Sequence, residues 1–379
     1  MRYKVSDIAD IINVSVKNPS TSGIDVFVGL EHYDVGEPVI TRYGSTEMLT
    51  TTVKSFQSGD ILLARRNVYL RRAGKVDFDG VTSGDSIVIR VKENLSYLEE
   101  CDSSLMKSLL PFILNTNAFW DYANTNSDGT MSKRLSPQML LDYEFDMPPI
   151  EEQKVLADKL WAAYRLKESY KKLLAATEEM VKSQFIEMFG DPSIDTKWPT
   201  KKLKELGSLD RGVSKARPRN APELLGGAYP LIQTGDITEA KLYIKDYHQT
   251  YSELGLAQSK MWKRGTLCIT IAANIAQTAI LDIDACFPDS VVGFIPNDVE
   301  IIFIHYWFSF IQQVLERQAP QTAQKNINLK TLSELDVIVP PKDLQSQFVN
   351  IVLQADKSGF ELRKSIDAID AVIKSLINN

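Results

Sequence analysis

One stretch of this chain occurs twice. Residues 133–153 read KRLSPQMLLDYEFDMPPIEEQ, and residues 325–345 read KNINLKTLSELDVIVPPKDLQ, which is an ungapped match at a shift of 192 positions. Pro148-Pro149 falls on Pro340-Pro341, and Gln153 falls on Gln345. In both copies the proline pair precedes a long amphipathic pattern that predicts a helix. The end of the chain is therefore a copy of its middle.

A fainter match lies upstream of each copy. Residues 4–8 resemble residues 202–206, and residues 56–63 resemble residues 261–268. We therefore expect two tandem units, each a globular domain followed by a helix, and 379 residues suit two domains of about 150 residues each. Two-fold internal symmetry favours a partner with two-fold character, and duplex DNA is the commonest such partner.

Both globular segments are predicted to be α+β. In the first, residues 60–64 and 86–91 read as strands, and Leu105 to Tyr122 reads as one helix. The second segment repeats this order of elements. Its predicted strands are residues 229–232, 267–271 and 290–295, and its predicted helix is residues 301–315.

The two long helical patterns favour pairing with each other. From Phe348 to Leu376 apolar side chains recur every seven residues, with one glycine among the positions three before them. Shifted back by 192 residues, the same seam is poorer and contains Lys167. Each helix of about 38 residues would be about 57 Å long, which is longer than a domain of this size is wide. The first helix should stop at Gly190-Asp191-Pro192. The alternative is that each helix lies on its own domain.

The composition indicates an ordinary folded protein. Hydrophobic residues make up 44% and charged residues 24% of the chain. The three cysteines form no C-x-x-C pair, which argues against a disulfide framework or a zinc site. The most apolar stretch, residues 301–315, is too short to span a bilayer, and the start of the chain has no signal-peptide pattern. We expect a cytoplasmic protein without membrane contact.

The charge distribution is compatible with nucleic acid. The net charge of −6 argues against it, because small DNA-binding domains are usually basic. The basic residues, however, are clustered while the acids concentrate elsewhere. The clusters are Arg65, Arg66, Arg71, Arg72 and Lys75 in the first half, and Lys201, Lys202, Lys204, Arg211, Lys215, Arg217 and Arg219 in the second.

No catalytic motif stands out. The chain has no phosphate-binding or dinucleotide-binding glycine loop, and no Asn-Pro-Pro-Phe-like tetrapeptide of methyltransferases. His32, His248 and His305 are scattered, and His305 reads as a core residue of an apolar helix. Residues 195–197 have the D-x-K form of a nuclease metal site but lie in a linker. A metal-dependent nuclease and a scaffold that binds only proteins therefore remain alternatives to DNA recognition.

The arrangement resembles the specificity subunit of type I restriction–modification systems. The resemblance extends over nearly the whole chain. It rests on Pro148–Gln153 opening a helix, Phe185–Pro192 closing it, Trp198-Pro199 restarting the chain, Gly80–Asp85, and Gln324–Ile327 before the second proline pair. The Gly80–Asp85 segment has no clear copy in the second half, where residues 285–289 stand instead. The two half-sites should therefore differ.

The resemblance implies both architecture and function. Each globular domain is a target recognition domain for one half of a split DNA sequence, and the two helices form an antiparallel coiled coil between the domains. The subunit has no catalysis and binds no cofactor or metal of its own. Two methyltransferase subunits dock on it, and restriction/translocase subunits join them. S-adenosylmethionine, Mg²⁺ and ATP are expected on those partners.

This reading divides the chain into five segments. They are recognition domain 1 (residues 1–147), the central helix (148–190), a linker (191–197), recognition domain 2 (198–339) and the C-terminal helix (340–379).

The basic loops after buried strands are the expected DNA contacts, because loops on a rigid frame can reach a ligand and arginine pairs with guanine or phosphate. The candidates are Arg65, Arg66, Asn67, Arg71, Arg72, Ser132, Lys133 and Arg134 in the first domain and Arg211, Lys215, Arg217, Arg219, Gln324, Lys325 and Asn326 in the second. On the helices, Trp161, Leu173 and Phe185 are expected to be exposed and to bind the methyltransferase subunits, since exposed apolar stripes mark interfaces.

Overall fold

A computed structural model describes residues 1–129, 132–194, 197–272, 274–318 and 326–378, and the chain divides into two units. One unit comprises residues 1–171 and 364–379, and the other comprises residues 172–363. Two long helices, α5 (Ile150–Phe189) and α11 (Lys342–Asn378), each contribute to both units. Within the described ranges, no helix is both long enough and apolar enough to cross a membrane.

The described residues of the first unit form eleven strands and four short α-helices besides its parts of α5 and α11. The strands are β1 (Arg2–Lys4), β2 (Ala9–Ile12), β3 (Ser15–Val16), β4 (Val26–Val28), β5 (Gly44–Ser45), β6 (Val53–Phe56), β7 (Ile61–Ala64), β8 (Ala73–Lys75), β9 (Gly80–Thr82), β10 (Ser86–Val91) and β11 (Glu144–Asp146). The helices are α1 (Val5–Ile8), α2 (Ser103–Ile113), α3 (Asn117–Thr125) and α4 (Pro137–Leu141).

The second unit resembles the first in its strands and differs in its helices. Its strands are β12 (Thr200–Lys202), β13 (Gly207–Arg211), β14 (Leu225–Leu231), β15 (Tyr243–Ile244), β16 (Gln249–Tyr251), β17 (Met261–Trp262), β18 (Leu267–Thr270), β19 (Thr278–Leu281), β20 (Ala285–Cys286), β21 (Val291–Pro296) and β22 (Asp336–Ile338). Its short helices are α6 (Leu203–Leu206), α7 (Thr234–Glu239), α8 (Glu253–Ala257) and α10 (Leu329–Ser333), and α9 (Ile301–Gln318) is longer.

The central sheets of the two units share a four-strand order, to which the second unit adds β15. The central sheet has the order β2-β10-β7-β8 in the first unit and β13-β21-β18-β19-β15 in the second. β10 lies antiparallel to β7, with Ser86 opposite Ala64, and β21 lies antiparallel to β18, with Val291 opposite Thr270. β7 and β18 consist mainly of buried apolar residues. This burial explains why apolar and polar residues do not alternate in their sequences. The duplication predicted from the sequence is therefore a duplication of fold.

A two-stranded sheet ties the start of each domain to the segment before its proline pair. In the first unit β1 pairs with β11, and in the second β12 pairs with β22. Gln153 and Gln345, the two matched glutamines, are both buried. Each donates its side-chain amide to the carbonyl of the first proline of the pair, at 2.9 Å from Pro148 and 2.8 Å from Pro340. The repeated Pro-Pro-x-x-x-Gln pattern is thus a helix-start structure.

The single helix predicted from Leu105 to Tyr122 is wrong. The chain forms α2 and α3 instead, and residues 114–116 separate them. The Thr116 hydroxyl accepts a hydrogen bond from the backbone N–H of Phe119 at 3.1 Å and caps α3. The apolar pattern continues across the break because both helices pack into the same core.

The long helices pack against each other and against the domains. In the first unit Leu160 of α5 and Ile373 of α11 share a core with Phe112 of α2. In the second unit Phe185 near the end of α5 shares a core with Phe348 near the start of α11. The start of one helix therefore meets the end of the other, which confirms the antiparallel pairing. α5 ends at Phe189, and Gly190 follows with φ +83°, where glycine has no steric penalty.

Candidate nucleic-acid interface

In the first unit, the end of β7 and the segment after residue 131 border a hollow of about 430 Å³, here called the first hollow. Arg65 and Arg66 follow β7 directly. The backbone N–H of Leu135 donates to the carbonyl of Arg65 at 2.9 Å, and a β-bridge joins Arg66 to Arg134. This pairing brings together two candidate groups that lie far apart in sequence. The lining residues are Arg65, Arg66, Asp128, Gly129, Ser132, Arg134 and Ser136.

Two arginines of the first hollow lie close to the Asp85 carboxylate, which is not itself among the lining residues. Arg66 Nε donates to Ser132 Oγ at 3.0 Å. The Asp85 carboxylate lies 3.7 Å from Arg66 Nη1 and 3.5 Å from Arg134 Nη2. The Arg66 and Arg134 side chains are 46% and 50% exposed, so both guanidinium groups keep donors available to a ligand. Arg65 is half-buried, and its Nε has no hydrogen-bond partner.

The other candidates of the first unit form hydrogen bonds within the protein. Arg72 donates to the carbonyls of Leu30 at 3.0 Å and Arg66 at 3.2 Å, and Arg71 donates to Asn117 Oδ1 at 2.8 Å. Lys133 Nζ donates to the carbonyl of Asn124 at 2.8 Å. Asn67 has φ +55° and its N–H donates to the carbonyl of Lys133. None of these four residues lines the first hollow.

The second unit has a hollow of about 310 Å³ at the equivalent place, here called the second hollow. The N–H of Ile327 donates to the carbonyl of Ile271 at 3.0 Å, and a β-bridge joins Ala272 to Asn326. These contacts repeat those of Leu135, Arg65, Arg66 and Arg134. The lining residues are Arg211, Arg219, Ile271, Ala272, Asp289, Ser290, Asn326, Ile327 and Asn328.

Arginines reach the second hollow from a different element. Ile271 and Ala272 occupy the positions that follow the central strand, and Arg211 at the end of β13 and Arg219 in the loop beyond it supply the positive charge. Arg219 Nη2 lies 2.5 Å from Asp289 Oδ1, and Arg211 Nε donates to the Asp289 carbonyl at 3.0 Å. In each unit an aspartate therefore lies beside the arginines of the hollow, although those arginines come from different elements.

Of the remaining candidates of the second unit, some line the second hollow and others do not. Arg217 donates to the carbonyls of Ser214 and Ala216, both at 2.7 Å, and its Nη2 lies 3.6 Å from Asp289. The Lys215 side chain is exposed, and neither residue lines the second hollow. Asn326 is exposed and lines it. Gln324 and Lys325 lie outside the described residues, as do Asp195 and Thr196 of the D-x-K pattern.

Sequence reasoning missed the acidic and capping residues of both hollows. Asp85 directly precedes β10 and Asp289 lies two residues before β21, so the strand-like patterns that follow them were the available signal. Ser136 and Asn328 are also matched at the shift of 192 positions. Each caps the short helix that follows, through side-chain oxygens 3.1 Å from Met139 N and 2.8 Å from Thr331 N.

The hollows have the chemistry of an anion or base-edge site. Guanidinium groups donate in a planar fork that fits phosphate oxygens or the guanine edge. Lys54 lies near Arg65, and its Nζ donates to the Ser86 carbonyl at 2.8 Å. Burial of Lys54 lowers its pKa, and the positive charge of Arg65 lowers it further. Across the described ranges, no group of three or more His, Cys, Asp or Glu side chains could hold a metal ion.

The structure corrects part of the expected partner surface on α5. Phe185 is fully buried, not exposed, because its ring packs 5.5 Å from Phe303 and 5.3 Å from Phe348. Trp161 is half-buried; its ring lies 5.1 Å from Phe112, and its Nε1 donates to the Ser108 carbonyl at 3.0 Å. These two residues anchor α5 to the domains. Leu173 is 51% exposed.

Comparisons with known proteins agree with this architecture. Residues 195–369 match the family model of the type I restriction modification DNA specificity domain. The type I restriction enzyme EcoBI specificity subunit of Escherichia coli is 24% identical over 287 residues. That alignment covers 67% of this chain and 60% of the relative, so the chain spans less than two thirds of its length.

Two solved structures share the fold along the whole chain. A chain from a study of complex assembly and conformational transition of the type I R-M system has a TM-score of 0.56 at 17% identity, covering 100% of this chain and 96% of its own. The S subunit of a type I restriction-modification system from M. genitalium has a TM-score of 0.57 at 13% identity, covering 100% and 94%. Residues 195–369 thus match a type I restriction modification DNA specificity domain, and the whole chain shares the fold of a type I S subunit.

Proposed function

We propose that this chain is the DNA sequence-specificity subunit of a type I restriction–modification complex. Each recognition domain, residues 1–147 and 198–339, reads one half of a bipartite target. The chain performs no reaction of its own and works in the cytoplasm, where its DNA is. The observation that supports this most strongly is that both units carry an arginine-lined hollow at the same place in the fold.

The two hollows have different side chains, which is consistent with recognition of two different half-sites. The backbone pairing that frames them is repeated almost bond for bond. The side chains are not repeated, since Arg65, Arg66 and Arg134 have Ile271, Ala272 and Asn326 as counterparts. A common frame with different polar groups is what sequence-specific readout of different bases requires.

The long helices provide the docking surface for two methyltransferase subunits. Leu166, Leu173 and Met180 recur every seven residues on α5, and all three are exposed. The helix seam and the domain cores leave these side chains uncovered, and exposed apolar side chains in a regular stripe favour a protein partner. S-adenosylmethionine, Mg²⁺ and ATP are bound by the methyltransferase and restriction/translocase subunits in this proposal.

A gel-shift titration tests the proposal. The full chain is incubated with a mixed-sequence duplex, alone and with the methyltransferase subunits of its system, over a range of salt concentrations. We expect binding that weakens linearly in log Kd against log salt, and a tighter shift with the methyltransferase subunits present. Absence of any shift in both arms would indicate a protein-only scaffold. Mg²⁺-dependent cleavage by the chain alone would indicate a nuclease.

A further inference from the structure

An aspartate contacts the arginines of each hollow: Asp289 lines the second hollow, and Asp85 lies against two arginines that line the first. Asp85 directly precedes β10, and Asp289 lies two residues before β21, in loops that differ in sequence. The Asp85 side chain is 26% exposed and the Asp289 side chain 34% exposed, so both can reach a ligand. Both contact arginines that line the hollows, Arg66 and Arg134 in the first and Arg219 in the second.

These carboxylates do not serve general affinity for DNA. A duplex carries one negative charge for about every 1.7 Å of its axis, and an aspartate in the contact surface repels it. Binding that depended only on phosphates would be stronger without either aspartate. Each unit nevertheless places an aspartate against the arginines that line its hollow, which points to discrimination between sequences.

The geometry leaves the carboxylates free to accept further hydrogen bonds. Asp85 lies 3.5 Å and 3.7 Å from its two arginine nitrogens, which is beyond a normal hydrogen-bond distance. Asp289 gives one oxygen to Arg219 at 2.5 Å, while its other oxygen lies 3.6 Å from Arg217. An ionised carboxylate has about four acceptor sites and no donor, so each hollow can still bind an amino group.

In the major groove, cytosine presents its N4 amino group, which Asp and Glu accept, and guanine presents the O6 and N7 acceptors that arginine pairs with. We propose, on the basis of the function proposed above, that Asp85 and Asp289 are specificity-determining residues. Each accepts a hydrogen bond from a cytosine amino group in its half-site, and the neighbouring arginine contacts guanine. A thymine there would present its O4 acceptor to the carboxylate and be rejected.

The experiment is a selection from a duplex library with randomised positions. The complex of the full chain with its methyltransferase subunits is used, and the bound duplexes are sequenced. Asp85→Asn and Asp289→Asn keep the size of the side chain but replace one acceptor by a donor. Asp25→Asn, at an exposed position that does not line the first hollow, is the control that removes the same charge.

We expect Asp85→Asn to reduce the preference for one cytosine of one half-site by roughly tenfold or more, since one good base contact discriminates by about that factor. Affinity for non-target duplex should rise. The other half-site should stay unchanged, and Asp289→Asn should give the reciprocal result. The two variants lie in different units, so a folding failure of one leaves the other as a test.

Three outcomes would overturn this inference. The selected motif could be the same for wild type and both variants, or binding to all duplexes could fall equally, which would make the aspartates positioning residues for the arginines. The wild-type half-sites could also contain no cytosine at a position that either variant changes. A wild-type complex that enriches no sequence at all would instead overturn the proposed function.

Discussion

At the scale of single residues, some arginines have exposed donors that a ligand can reach, whereas others use their donors in hydrogen bonds within the protein. Arg66 and Arg134 line the first hollow with about half of each side chain exposed. Arg72, by contrast, is half-buried and donates to two backbone carbonyls. The clustering of these arginines was visible in the sequence. Their separation into ligand-facing and loop-forming groups was not, because it depends on carbonyls that folding brings near.

The first prediction concerns the exposed pair. Replacing both Arg66 and Arg134 by alanine should weaken DNA binding and lower the magnitude of the salt slope by about 0.9 for each phosphate that is no longer neutralised. Arg42→Ala is the matched control, because Arg42 is equally exposed but pairs with Asp34 and does not line the hollow. Gel-shift titrations at several salt concentrations measure both quantities. An unchanged slope and affinity in the double variant would remove these arginines from the interface.

The second prediction concerns His305, which the sequence indicated as a core residue and which is buried. Its Nδ1 lies 3.0 Å from Thr278 Oγ1, and burial lowers its pKa to about 4, from the usual 6.5. The unfolded chain therefore binds a proton below about pH 6.5 that the folded state binds only near pH 4. This histidine destabilises the fold as pH falls through that window, by about 2 kcal/mol between pH 6.5 and 5.

The His305→Gln variant removes this titration. Its free energy of unfolding should decrease less between pH 7 and pH 5 than that of the wild type, by about the same 2 kcal/mol. Denaturant unfolding of both proteins at the two pH values measures the difference. A parallel decrease of stability in both proteins would show that His305 does not titrate in this way.

At the scale of elements, the sequence predicted which residues of the long helices form the heptad seam. It did not predict which other faces of these helices the domains bury. Phe348 and Ile373 are buried as their seam positions predict. Phe185 lies off the strict seam, and its burial comes from Phe303 on α9. Periodicity within one helix cannot show which further face a domain will cover. The expected exposure of Phe185 was wrong for that reason, whereas Leu173 has no such neighbour in the core clusters.

The third prediction concerns Lys167, the charged member of the seam. Its side chain is 7% exposed and bridges Glu37 at 2.7 Å and Asp370 of α11 at 2.5 Å, and Lys171 also contacts Glu37 at 2.9 Å. Lys167→Met should destabilise the protein by about 2–3 kcal/mol, because it leaves carboxylates without their main partner. This loss of stability is at or below the low end of the range for breaking a buried ion pair, because the Asp370 side chain is one third exposed.

The double variant Lys167→Met with Asp370→Leu separates charge from packing. It should recover much of the stability that Lys167→Met removes, since replacing a buried ion pair by apolar groups is often neutral or favourable. Thermal unfolding of the wild type and both variants measures this. If the double variant is as unstable as Lys167→Met alone, the stranded carboxylate is not the cause.

The fourth prediction concerns the proposed docking surface. Leu173→Glu should weaken capture of the methyltransferase subunit at least tenfold, because it places a charge in a contact that apolar side chains would otherwise bury. Ala175→Glu is the matched control, since two residues further along the helix points about 200° away and position 175 is also exposed. Pull-down titrations measure both. Equal capture by the two variants would move the docking surface away from Leu173.

At the scale of the whole molecule, the duplication was the most informative property of the sequence. The matched stretches 133–153 and 325–345 predicted two units of the same fold, and the paired sheets and buried glutamines follow that match. The hollows could only be predicted in part. The arginines of the second hollow come from β13 and the loop beyond it, and a repeat alignment cannot show such a change of element.

The fifth prediction treats the helix pair as a spacer. The two units meet along the chain between Lys171 and Lys172 and between Arg363 and Lys364. Inserting four helix-forming residues at both junctions leaves each unit's own sequence intact and lengthens each helix by about 6 Å. B-DNA rises about 3.4 Å per base pair, so this is between one and two base pairs. Because each added base pair also turns the DNA by about 35°, we expect one extra pair.

Mapping the methylated sites that this insertion variant makes, together with its methyltransferase subunits, tests bipartite recognition most directly. The matched control carries the insertion in the exposed linker at Ser193, outside both helices. We expect the two wild-type half-sites in unchanged form, separated by one additional base pair in the helix variant and by the original spacing in the control. Methylated sites that keep the original spacing in the helix variant, or that contain no bipartite sequence, would contradict this expectation.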